Sequence, residues 1–135
     1  MNPVLLIVGS IFVGLAALVH IYIFYLESIV WSKPATWKNF GLKTQAEAET
    51  VKPMAFNQGY YNAFLALGVI VGLVLLATPG VEQAGFALTI FSASSMVLAA
   101  TVLITSSPKL ARAAVLQGAA PLIGVIALIV ACCLG

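Results

Sequence analysis

Charge is scarce in this 135-residue sequence: 7% of its residues are Asp, Glu, Lys or Arg, where a soluble domain carries roughly a quarter. Hydrophobic residues make up 62%, and together these figures exclude a water-soluble globular domain. Six basic against four acidic side chains leave a formal net charge of +2. That is too little for the basic stripe that neutralises phosphates, so nucleic acid is not expected as a partner. Histidine occurs once, which rules out an intrachain bis-histidine haem. No cysteine or aspartate lies near it, so neither a metal nor a resident cofactor is expected. The two cysteines, Cys132 and Cys133, are adjacent. A vicinal disulfide is strained and no C-x-x-C pair exists, so they read as small apolar residues closing a helix. No Lys or Arg precedes the first apolar run and no small-x-small site follows it, so that run is expected to stay attached.

Long apolar runs are what the chain has in abundance. A spanning helix needs about 20 mainly apolar residues. The sequence supplies four such helices, at about residues 3–31, 54–77, 84–105 and 113–134. Thr78-Pro79-Gly80 closes the second and Ser106-Ser107-Pro108 the third, both helix-ending clusters. Pro121 inside the fourth predicts a kink, because it removes a backbone donor. The expected fold is all-α: a single integral-membrane domain of residues 1–135, built as a four-helix bundle.

Every Lys and Arg lies in two connections: Lys33, Lys38, Lys43 and Lys52 in residues 32–53, and Lys109 and Arg112 between the third and fourth helices. The opposite turn holds Glu82 alone. The positive-inside rule therefore places both basic connections in the cytoplasm and the N- and C-termini outside it, as expected of a multi-pass protein of the cell membrane. Trp31 and Trp37, with Tyr22 and Tyr25 just within, read as an interfacial aromatic belt. Ala46 to Val51 reads as a short interfacial helix with Trp37 and Phe40 turned to lipid headgroups, in a connection too short for a core of its own.

Sorting the intramembrane polar residues by depth reveals an asymmetry. Glu27 lies at the basic end of the first helix, and His20, seven residues earlier, is about 10 Å deeper on the same face. The second helix enters from that end with Asn57, Gln58, Tyr61 and Asn62 in its first turns. The far halves of three helices hold Ser10 as their one ordinary polar side chain, and only the third helix departs, through Thr89, Ser92, Ser94 and Ser95. Ionisable groups at membrane depth are costly and normally face a protein interior or a wet cavity. His20, Glu27, Asn57, Gln58, Tyr61 and Asn62 are therefore the candidate ligand-binding cluster. The plain alternative is that they bond helix to helix, at roughly 0.6 to 2 kcal/mol each. Gly68 with Gly72, and Ser10 with Gly14, form small-xxx-small pairs that suit close helix packing, within one chain or between chains. Gln58-Gly59 and Gln117-Gly118 open the second and fourth helices alike, a faint echo of two related hairpins.

The run HIYIFYLESIVW from His20 to Trp31, the pair Phe40-Gly41 and NQGYYNAFLALG from Asn57 to Gly68 resemble the small membrane proteins grouped as domain of unknown function 1304. The resemblance covers nearly the whole chain. It implies four spans and marks His20, Glu27, Asn57, Gln58, Gly59, Tyr61 and Asn62 as signature positions, but it implies no activity.

Three function classes fit these residues. The leading one is an accessory or structural subunit of a membrane complex or homo-oligomer, its polar residues setting helix register and its lipid-facing surface docking a partner. The second is a pocket protein or proton-linked small transporter, in which His20 or Glu27 exchanges a proton as a small amphipathic ligand binds. The third is a lipid-modifying enzyme using His20 and Glu27 as an acid–base pair, which requires both within reach of one substrate atom. Membrane lipid is an expected partner in all three, and no catalytic residue is assigned.

Overall fold

The computed structural model describes residues 1–134, and every regular element among them is helical. The first helix, α1 (Pro3–Phe24), starts where Asn2 Oδ1 accepts from the amides of Val4 at 3.1 Å and Leu5 at 3.2 Å. That bond satisfies amides the first turn leaves free, and Pro3 at the first helical position has no amide hydrogen to satisfy. The chain continues beyond Phe24 as a π-helical turn, Tyr25–Ile29. A short α2 (Pro34–Trp37) and a 3-10 turn, Lys38–Phe40, lead through Gly41 at φ 82° to α3 (Gln45–Leu76). Then come α4 (Glu82–Ser106), a 3-10 turn at Pro108–Leu110 and α5 (Ala111–Cys133). The stretch Pro3–Ile29, α3, α4 and the stretch Pro108–Cys133 are each long and apolar enough to cross a membrane.

One boundary moves substantially from its expected place. The helix expected from residue 54 begins at Gln45 and runs 32 residues, about 48 Å against a hydrocarbon core of about 30 Å. The expected interfacial helix Ala46–Val51 is thus the opening of α3. Thr44 Oγ1 accepts from Glu47 N at 3.2 Å, and Glu47 Oε2 accepts from Lys43 N at 2.8 Å, a variant of the capping box. With its start fixed in this way, the helix continues through Pro53.

The extension gives the connection a small core of its own, contrary to the expectation from its length. Trp31, Trp37, Ala48 and Ala55 are buried together, with Phe40, Leu42 and Val51 against them. Ala48, Val51 and Ala55 share one helical face, and the tryptophans close on that wall. Trp37 keeps only 4% of its surface exposed, so it does not face headgroups as expected. Trp31 Nε1 donates to Ala48 O at 3.0 Å. A Trp31→Phe chain, lacking that donor, is expected to lose about 1 kcal/mol of stability. Thermal unfolding in detergent reads this, and a midpoint equal to the parent's would show that the bond does not hold the extension.

Around the main core of Val13, Ala16, Val69, Met96 and Leu128, α1 packs on α3 and α5, and α4 packs on the same two helices. Small residues let the backbones approach. A Cβ on Gly72 would lie 2.7 Å from Thr89 N, and one on Gly68 would lie 3.2 Å from Ser92 Cβ, so this pair packs within the chain. Gly14 makes no such contact: a Cβ there would meet nothing within 4 Å. Gly9 against Leu128 and Gly124 against Val13 make the α1–α5 contact instead. Pro121 is buried, and α5 runs on through it. Asn2 N donates to Ala131 O at 2.8 Å, which brings the first and last helices together near the chain ends. At the other end a Cβ on Gly41 would lie 3.8 Å from Leu110 Cδ2, so the two basic connections meet.

Candidate functional site

The seam between α1 and α3 near the basic connections owes its shape to two local features. The first is the π turn, in which Val30 N reaches back five residues to Tyr25 O at 3.1 Å. Such wide turns recur at functional sites. The second is Gly59: a Cβ there would lie 3.1 Å from Glu27 Cβ and 3.3 Å from Phe24 O, and would overlap Ser28 Oγ. The hydroxyl of Ser28 donates to Phe56 O at 2.9 Å. Glycine thus lets the π turn lie directly on α3.

One turn deeper, Asn62 Nδ2 donates both to Glu27 Oε2 and to Gln58 O, each at 3.0 Å. The Gln58 carbonyl can only accept, which fixes the orientation of the amide. Glu27 and Asn62 each keep 7% of their surface exposed. The two amide hydrogens are spent, and no donor among the described residues reaches Glu27 Oε1 or Asn62 Oδ1. No cationic side chain pairs with Glu27 either, the ion pair present among the described residues being Lys52 with Glu49 at 3.5 Å. His20 is 1% exposed, and its Nδ1 lies 2.9 Å from Ala16 O. Because a carbonyl only accepts, Nδ1 is the donor, and Nε2 of the neutral ring is left as an acceptor.

The candidate cluster therefore divides. His20, Glu27 and Asn62 face the interior, whereas Asn57, Gln58 and Tyr61 lie exposed on the outside of α3, with Gln58 lending only its backbone carbonyl. Helical periodicity explains the split: Ala55, Gly59, Asn62 and Ala66 form the buried stripe of α3, and residues 57, 58 and 61 fall off it. His20 and Glu27 do not bond each other, and each has its own partner. Ser28 belongs to the seam but was not a candidate. Its position beside Glu27 was the available signal, whereas the π turn that aims it has no sequence signature. Two shallow apolar grooves lie elsewhere, one between α1 and α3 around Ser10 and Leu73, the other between α4 and α5 around Thr101 and Gly118. Among the described residues no three His, Cys, Asp or Glu side chains gather to hold a metal.

The arrangement can clamp α1 to α3 through a buried carboxyl–amide bond, and it can accept further hydrogen bonds at the free carboxyl oxygen. No curated protein and no solved structure matches the chain. Residues 14–129, which carry Glu27, Gly59 and Asn62, match the family described as protein of unknown function (DUF1304), and the chain belongs to that family.

Proposed function

We propose that this small membrane protein is an accessory subunit without catalysis of its own, joined through one face of α3 to a second copy or to a larger complex in the cell membrane. The observation that carries this reading is the divided cluster. His20, Glu27 and Asn62 are turned in against their own chain, while Asn57, Gln58 and Tyr61 stand exposed together on α3, Tyr61 at 55%. Two amides and a phenol beside the hydrocarbon region want hydrogen-bond partners that lipid tails do not offer. The meeting of the two basic connections at one end and of the chain-end helices at the other supports a topology with both termini outside the cytoplasm.

A photoactivatable amino acid placed at Asn57 or Gln58 tests the reading in intact membranes. The expected product is a protein adduct, either a dimer of the 14.1 kDa chain or a heavier species identified by mass spectrometry. The same probe at Val74, exposed in the apolar half of α3, should label lipid. Lipid adducts alone at all three positions would overturn the docking role.

A further inference from the structure

The exposed side of α3 near its start has a regular geometry. Thr50, Met54, Asn57, Tyr61 and Phe64 follow one another at spacings of four, three, four and three residues, and all five are exposed. A mean step of about 3.5 residues keeps them on one stripe, the seam spacing of a two-stranded coil. Ala48, Ala55, Gly59, Asn62 and Ala66, which α3 buries against its own chain, fall on a different side of the helix. The next seam position, Gly68, lies against Ser92 of α4, so the open stripe ends at Phe64 after about 21 Å. Counting about 20 residues back from Leu76, where α3 ends, puts the hydrocarbon boundary near Asn57. Met54, 73% exposed, stands beyond that boundary. There the hydrophobic effect favours covering it, as it does not among lipid tails.

A second copy of the chain is the occupant this stripe fits. Every Lys and Arg lies in the two connections that meet at one end of the bundle, which gives all copies the same orientation in the membrane. Two copies related by a two-fold axis along the membrane normal therefore set each stripe residue opposite itself. Like charges placed so would repel, but none of the five residues is charged. An amide is both donor and acceptor, so Asn57 complements its own counterpart, and a lone asparagine in such a seam specifies register. We infer that α3 pairs in parallel with α3 of a second copy along Thr50, Met54, Asn57, Tyr61 and Phe64, the two Asn57 amides each donating to the other's oxygen. The pairing depends on the docking role proposed above and narrows its partner to this same chain.

Single cysteines placed in a Cys132→Ser/Cys133→Ser chain and oxidised in liposomes provide the test. A disulfide forms only where two Cα atoms come within about 7 Å. Met54→Cys and Phe64→Cys should therefore give linked dimers, whereas Phe56→Cys and Leu67→Cys, exposed on the flank of the same helix, should remain monomers. Equal linkage on the stripe and on the flank, or none on the stripe, would overturn the pairing. The dissociation constant, read by energy transfer between separately labelled chains in liposomes, tests the asparagine. Asn57→Ala should raise it about threefold or more, the lower end for an interhelical hydrogen bond. Asn57 is exposed in the single chain, so its truncation leaves the core untouched, and an unchanged constant would overturn the amide pair. Failure here is separable from failure of the docking role. Photoadducts from Asn57 to a foreign protein, with no disulfide along the stripe, would exclude the second copy and leave docking standing, whereas lipid adducts alone would remove both.

Discussion

A Gly85→Val chain is expected to lose about 3 kcal/mol of stability or more, the upper end for overpacking. Even an added Cβ would lie 2.6 Å from Leu75 C and from Leu76 Cα and would overlap Leu76 N. These are backbone atoms, so no rotamer change relieves the overlap, and α4 must move away from the last turn of α3. Gly85 sits just after the turn Thr78–Val81, in which Gly80 N is held by Glu82 Oε2 at 3.0 Å, so there is little slack to absorb the shift. Gly14→Ala is the matched control. Its Cβ meets open space, and the helix propensity of alanine should stabilise by about 0.5–1 kcal/mol. Unfolding midpoints in one detergent decide the matter. Equal losses at the two positions would mean that glycine content, rather than the α3–α4 contact, sets the stability.

Asn62→Leu has the next largest expected effect, a loss of about 2 kcal/mol, because a buried polar group deprived of its partner keeps its full desolvation cost. Among the described residues Asn62 supplies the one hydrogen bond that the Glu27 carboxyl receives, and no cation pairs with that carboxyl. Glu27→Gln should change stability by less than about 1 kcal/mol, since the glutamine oxygen accepts the same bond. The double variant Glu27→Leu/Asn62→Leu should be more stable than Asn62→Leu alone, because removing both partners leaves nothing polar stranded. A double variant as unstable as the sum of its parts would show that the two side chains do not act together.

The two pairs of residues differ in how far they could be read in advance. Glu27 and Asn62 were both visible as polar residues at matching depth on consecutive helices, and their joining follows the expectation that such groups seek a protein partner. Asn57, Gln58 and Tyr61 share that depth but not that direction. Depth depends on counting residues from the helix end, whereas direction depends on which side of α3 its neighbour approaches, and here the neighbour comes in at Gly59. The start of α3 was misplaced by a related cause. The apolar run begins only near residue 54, but capping by Thr44 and Glu47 and packing against Trp31 and Trp37 start the helix at Gln45.

Composition and apolar runs alone determined the all-helical class, the four helices able to cross a membrane and the gathering of basic residues in two connections. These follow from transfer free energies and helical rise, which act residue by residue. Tertiary structure decided which small residues serve as contacts, Gly9 and Gly59 but not Gly14, and which polar residues meet. It also decided that the first helix ends in a π turn and that the tryptophans fold inward onto α3. Each of these depends on the distance between two backbones, and that distance is set only when helices far apart in sequence pack together.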